Sequence, residues 1–146
     1  MKTLFVAAAL ALTTFSASAN KSAAEKKVNV SVSKAFQFQF GNVDDVSWTT
    51  ASKNMLRASF TQDGEKVNAF FGPSGDYVAT TIDHKASDVP YKLRTAITNK
   101  DKDAIITEAV EYQDDDSEAW FVKVYSNGSE KLYKGTVLGL IEEVKY

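Results

Sequence analysis

Hydrophobic and polar positions follow two different periods along this chain, and each marks its own kind of element. From Met55 to Gln62, Leu56, Ala58 and Phe60 alternate with Arg57, Ser59 and Thr61, the period-two pattern of a half-buried strand. Asp63-Gly64 follows, a pair suited to a two-residue type I′ turn because both central residues there need positive φ. Such a loop pairs Phe60 with Val67, Ala58 with Ala69 and Leu56 with Phe71, so six apolar residues share one face. Upstream, Val32, Ala35, Phe36, Phe40 and Val43 fall on one side of a 3.6-residue period. That spacing predicts a helix from about Ser33 to Gly41, with Ser31 or Ser33 as N-cap and Gly41 as its end. A strand is the rival reading, since Val28, Val30 and Val32, then Phe36, Phe38 and Phe40, also alternate. Gly72-Pro73-Ser74-Gly75-Asp76 forms a second turn leading into a strand from Tyr77 to Ile82.

An offset of 64 residues brings Val46 onto Val110, Trp48 onto Tyr112 and Leu56 onto Trp120. The same offset brings Asp63-Gly64 onto Asn127-Gly128 and Gly75 onto Gly139. A shared offset signals an internal repeat. In the second copy, Ser87 or Asp88 caps a helix with Pro90 in its first turn, and Leu93, Ala96 and Ile97 form its apolar side. Ala104 to Tyr112 reads as a strand or a helix end. Ala119 to Tyr125 alternates, and Lys131–Lys134 and Leu138–Val144 supply the last pairings. A two-residue loop at Asn127-Gly128 buries Tyr133, a three-residue loop buries Leu132, and the pattern leaves both open. The expected fold is α+β: tandem αββ repeats, about 28–83 and 84–146, forming one antiparallel sheet with two helices on one face and the other face open.

The N-terminus has a different pattern. Met1-Lys2-Thr3, an apolar run from Leu4 to Leu12, and Ala17-Ser18-Ala19 have the order of a secretory signal peptide cleaved after Ala19. The run is about half the roughly 20 residues of a membrane helix. Residues 20–27 read as a flexible leader, and the ordered domain as 28–146. Without Lys2 the mature chain carries 16 Lys and Arg against 19 Asp and Glu, a net charge of −3. No cluster of basic residues offers to neutralise phosphates, which argues against a nucleic-acid partner. Cysteine is absent, excluding disulfides, thiolate metal sites and a cysteine nucleophile. A periplasmic or secreted protein with no membrane span after cleavage is expected.

The motifs Phe36-x-x-x-Phe40, Val43-x-x-Val46-x-Trp48, Ala58-x-Phe60-x-x-x-Gly64 and Gly75 resemble those of exported PepSY-like, β-lactamase-inhibitor-like proteins of Bacteroidetes-type bacteria. Val89-Pro90 before a helix and Ile106-x-Glu108-Ala109-Val110 leading to Trp120-Phe121-Val122-Lys123-Val124 extend the likeness from about Val28 to Val124. Two features depart from it: Gly72 stands where such proteins usually carry an acidic residue, and Lys134-Gly135-Thr136 lacks the aromatic–Asp opening of the last hairpin. The resemblance implies tandem αββ units in one sheet, no known catalytic residues, and a protein or peptide partner on the open face.

Candidate chemistry is sparse. His84 is the lone imidazole and reads as a solvated loop residue; a hydrolase built on it is the weakest of the readings. Asp114-Asp115-Asp116 with Glu118, and Asp101-x-Asp103, lack the Gly and bidentate Glu of a calcium loop and read as solvated loops. No catalytic, cofactor or metal residue is assigned. The first hairpin's register, carried through the repeat, instead places Arg57, Phe70, Phe121, Lys123 and Tyr125 on the face away from the helices. Aromatics and Arg there are the residue types of binding hot spots. The expected protein is an exported, non-catalytic module that holds a protein or peptide of the cell envelope, with inhibition of an envelope enzyme as one form of that role. The alternative is a structural or stress-related envelope protein that forms homo-oligomers through the same face.

Overall fold

In a computed structural model, residues 28–145 are described; the expected signal peptide and leader lie outside them. Helix α1 spans Val30–Phe40, followed by strands β1 (Ser47–Ser52), β2 (Met55–Gln62), β3 (Glu65–Phe71) and β4 (Tyr77–His84). A 3₁₀ turn, Ala86–Asp88, precedes α2 (Tyr91–Lys100), and then come β5 (Ile105–Gln113), β6 (Glu118–Ser126), β7 (Ser129–Gly135) and β8 (Ile141–Val144). The eight strands form one antiparallel sheet in chain order, β1 to β8. The fold is α+β as expected, and the chain divides into two compact units between Ile82 and Asp83.

In the first unit the helical period prevails over the alternating one. Val32 and Phe36 are the buried residues of α1, and they join Trp48, Leu56, Phe60, Val67 and Phe71 in one core. Phe36 is its hub, with ring centroids 5.4 Å from Trp48, 5.3 Å from Phe60 and 6.2 Å from Phe71, all edge-on. Such pairs add about 0.5–1.5 kcal/mol each beyond area burial. The helix starts three residues earlier than its sequence pattern suggests, and its cap is Asn29, not Ser31 or Ser33. Asn29 Oδ1 accepts from the Val32 N–H at 2.9 Å, and its Nδ2 donates to the Pro73 carbonyl at 2.8 Å. The second bond reaches across 44 residues, so the choice of cap is partly tertiary. Strand β1 escaped the periodicity reading. Its sequence is polar except for Ala51 and Trp48, the latter the one buried side chain in it, and it sits at the edge of the sheet.

The β2–β3 register is as expected, with Phe60 opposite Val67, Ala58 opposite Ala69 and Leu56 opposite Phe71. Asp63 and Gly64 have φ of 53° and 84°, as the two-residue turn requires. In the second unit Asn127 and Gly128 repeat this at 50° and 79°, and Ser126 pairs with Ser129. The loop therefore has two residues. Tyr133 joins Val89, Leu93, Ile97, Trp120, Val122 and Val124 in the second core, while Leu132 is also buried, on the opposite face, at 1% exposure. The stretch read as Ala104–Tyr112 resolves as strand β5, Ile105–Gln113. Leu138–Val144 resolves only in part, because β8 begins at Ile141 and Leu138 and Leu140 stand exposed in the turn before it.

The two units share one further device. In each, the turn after a hairpin strand packs its left-handed glycine against the first turn of the helix. A Cβ on Gly75 would lie 2.9 Å from the Ser31 carbonyl oxygen, and one on Gly139 would lie 2.9 Å from that of Lys92. The turn hydrogen bonds also match: Gly72 N–H to Asp76 O at 2.8 Å, and Thr136 N–H to Leu140 O at 3.0 Å. Glycine is needed at both positions because φ is 100° and 86° and no side chain fits the gap.

Candidate functional site

The strands determine which side chains leave the helix-covered face. In the first unit Arg57 stands opposite Phe70, Ser59 opposite Asn68 and Thr61 opposite Lys66, all on the helix-free side. Arg57 is half-buried and its Nε donates to Thr49 Oγ1 at 3.2 Å. The Ser59 hydroxyl donates to Asn68 Oδ1 at 2.8 Å, satisfying an amide that is only 2% exposed. In the second unit Phe121, Lys123 and Tyr125 alternate with the core residues Trp120, Val122 and Val124.

Two of the five expected contact residues are not at the surface. Phe70 and Phe121 lie on the helix-free side, as their register demands, but both are fully buried. For Phe121 the cause is visible within its unit: Val110 is its cross-strand partner, and the Tyr112 ring meets it edge-on at 6.4 Å. Val110, Tyr112 and Leu132 are themselves buried. Bulky side chains on this side shield one another, so lack of a helix does not mean exposure. Lys123 is half-buried and forms an ion pair with Glu108 at 3.2 Å. Tyr125 is 47% exposed, and its cross-strand partner Ile105 is 65% exposed. The accessible part is thus Ile105 and Tyr125 beside the Lys123–Glu108 pair, with Arg57 separately in the first unit.

His84 is not a loop residue. It ends β4, with Nε2 2.8 Å from Glu111 Oε2 and its ring stacked on Trp120 at 4.7 Å between centroids. Glu111 is held in turn by Gln113, whose Nε2 donates to Oε1 at 2.6 Å. The imidazole is thus built into the packing around Trp120.

In each acidic loop one aspartate has a structural role. Asp114 Oδ1 accepts from the Asp116 and Ser117 N–H groups at 2.9 and 2.7 Å and from the Ser117 hydroxyl at 2.9 Å. Its Oδ2 accepts from the Tyr112 hydroxyl at 2.8 Å. Desolvation raises the Asp114 pKa, but these hydrogen bonds outweigh it and hold the carboxyl below its ordinary value. The carboxylate organises the β5–β6 turn. Asp101 is 7% exposed and receives hydrogen bonds from Lys131 and Ser126, which lower its pKa in that order of importance. The Asp114 and Asp101 carboxylates are thus committed to hydrogen bonds within the protein.

A shallow cleft beside the end of α1 is lined by Phe40, Asp44, Asp45, Ser59, Thr61 and Lys66 among others. Its mixed charges converge on no reaction. A surface that the periodicity reading missed lies in the β7–β8 turn. Leu138 and Leu140 are 69% and 70% exposed, and Tyr91 at the start of α2 is 74% exposed. The 64-residue offset contained the signal: Val137-Leu138-Gly139-Leu140 replaces Pro73-Ser74-Gly75-Asp76 in a turn of matching hydrogen bonding.

The fold is shared with known structures. A BLIP-like protein from Bacteroides fragilis superposes with a TM-score of 0.73 at 14% identity, over 83% of this chain and 88% of that one. DUF2874 family proteins from Bacteroides ovatus (TM-score 0.72, 14% identity, 81% and 89% covered) and Bacteroides uniformis (0.71, 17%, 79% and 86%) agree. At these identities the likeness is one of fold. No known family profile matches the chain, and no curated protein sequence does. Among the described residues, no helix is long and apolar enough to cross a membrane.

Proposed function

We propose that this protein is an exported binding module without catalytic machinery, which holds a protein or peptide on the helix-free side of its second unit. The observation that carries the reading is the exposed cross-strand pair Ile105 and Tyr125, flanked by the Lys123–Glu108 ion pair. An aromatic and a branched aliphatic residue on a rigid strand pair lose little side-chain entropy on binding, and an adjacent charge pair supplies direction. Phe70 and Phe121 support the strands from within and make no direct contact in this reading. The BLIP-like fold neighbour agrees with the inhibitor-like resemblance of the motifs, and inhibition of an envelope enzyme is the specific form proposed. The signal-peptide pattern of the sequence supports a mature chain that starts at Asn20 and works in the periplasm or outside the cell.

The test is affinity capture from envelope extract with the mature chain, set beside two double variants. Ile105→Ser with Tyr125→Ser should lose the retained protein, and Leu138→Ser with Leu140→Ser should keep it. The reverse result moves the partner surface to the β7–β8 turn and overturns the assignment. Sedimentation separates the alternative: concentration-dependent dimers that vanish in the Ile105/Tyr125 variant would mark the face as a self-association surface.

A further inference from the structure

Asn127-Gly128 is the only Asn-Gly step in the sequence, and it occupies the exposed tip of the β6–β7 hairpin. We propose that Asn127 is a self-catalysed modification site, at which the side-chain amide is converted to a carboxylate with loss of ammonia. The Gly128 backbone nitrogen attacks Cγ of Asn127, forming a C–N bond and closing a succinimide. The amide nitrogen leaves as ammonia, taking the proton given up by Gly128. Water then opens the ring at either carbonyl, restoring the Gly128 N–H and leaving aspartate or isoaspartate. The balance is one water consumed and one ammonia released, with no change in oxidation state.

Three features of this site favour the step. Glycine has no Cβ to hinder approach of its nitrogen. The site is a solvent-exposed hairpin tip, where local opening costs least; opening matters because the left-handed turn must relax before the nitrogen can reach Cγ. The counterpart in the first unit is already an acid: Asp63 occupies the same position with φ of 53°, against 50° for Asn127. The turn geometry therefore accepts the aspartate product.

The conversion has a structural consequence that Asp63 does not. Asn127 Nδ2 donates to the Ser126 hydroxyl at 3.1 Å, and that hydroxyl donates to Asp101 Oδ1 at 2.6 Å. Asp101 Oδ2 in turn accepts from the Lys131 ammonium at 2.6 Å. A carboxylate at position 127 has no proton to give, so two acids would compete for one hydroxyl proton. The isoaspartate product adds a backbone atom to a two-residue loop and breaks its register.

The protein supplies its own control. Asn54 lies in an exposed turn between β1 and β2 but is followed by Met55. The folded chain, incubated in mildly alkaline buffer and digested, should show the amide-to-acid mass shift in the peptide carrying Asn127 and not in that carrying Asn54. Hydroxylamine should cleave between residues 127 and 128. Asp63→Asn, which creates a second Asn-Gly step in the matching turn, should gain a second converting peptide. Conversion at Asn127 no faster than at Asn54 would overturn the proposal, as would conversion at position 63 of the variant with Asn127 unchanged.

Discussion

Asp101, at the end of α2, and Lys131, on β7, are joined by a 2.6 Å ion pair in which the aspartate side chain is 6% exposed and the lysine side chain 30%. Ser126 binds the other carboxylate oxygen at 2.6 Å. Three elements of the second unit are tied together at this point. The Lys131 hydrogen bond, then that of Ser126, holds Asp101 below the ordinary aspartate value of 3.8. The Asp101 hydrogen bond likewise raises Lys131 above 10.5.

The linkage predicts loss of stability at both ends of the pH scale. A depressed carboxyl contributes stability that is present above its unfolded pKa and lost as pH falls through the lower folded value. A raised ammonium contributes stability that is present below 10.5 and lost as pH rises through its higher folded value. Asp101→Asn should therefore flatten the decline below pH 3.8 and lower stability at neutral pH. Urea midpoints across pH for both chains measure this; an unchanged acid limb would show that the pair does not couple to folding.

Phe121 and Tyr125 share a strand and a face but differ in burial, so their truncations should separate. Phe121→Ala should cost about 3–5 kcal/mol, the usual range for a buried Phe. Tyr125→Ser, on a surface site, should fall within about 0.5 kcal/mol of wild type. Chemical denaturation measures both, and similar costs would contradict the burial pattern.

Gly75→Ala and Gly139→Ala test the repeated docking of turn on helix. Each forces a Cβ to 2.9 Å from a helix carbonyl oxygen at positive φ, and the backbone strain alone is worth about 1–3 kcal/mol. Gly64→Ala is the comparison, because its φ is also positive but no atom lies within 4 Å of its Cβ. The first two variants should lose more stability than the third.

Asn29→Ala removes an N-cap, typically about 0.5–2 kcal/mol, together with the bond to the Pro73 carbonyl. Asn29→Ser restores a capping oxygen with no amide to reach Pro73, and should recover only part of the loss. Full recovery in thermal melts would show that the long-range bond contributes nothing.

Local pattern and turn chemistry made much of the fold legible. The period of Leu56, Ala58 and Phe60 with Asp63-Gly64 determined a strand, a loop length and a register, because a two-residue loop leaves no freedom in pairing. The 64-residue offset carried that hairpin onto the second unit and matched Gly75 with Gly139. Strand β1 was not legible, since an edge strand with one buried side chain has no period to detect. The candidate site was legible only as strand register: Arg57 stands opposite Phe70, and Phe121, Lys123 and Tyr125 alternate with the core residues Trp120, Val122 and Val124.

Which of those five reach solvent was decided by tertiary packing, because burial depends on what neighbouring strands bring to the same side. Val110 and Tyr112 cover Phe121 from β5, while Tyr125, two turns of the pleat beyond it, stands between Ile105 and Glu130, both exposed. Packing likewise took His84 from an apparent loop into contact with Glu111 and Trp120, and made Asn29 the helix cap through a carbonyl 44 residues away. The sequence by itself determined periods, turns and faces, which are properties of a few adjacent residues. Exposure and long-range partners belong to residues distant in the chain, and only their meeting in three dimensions decided them.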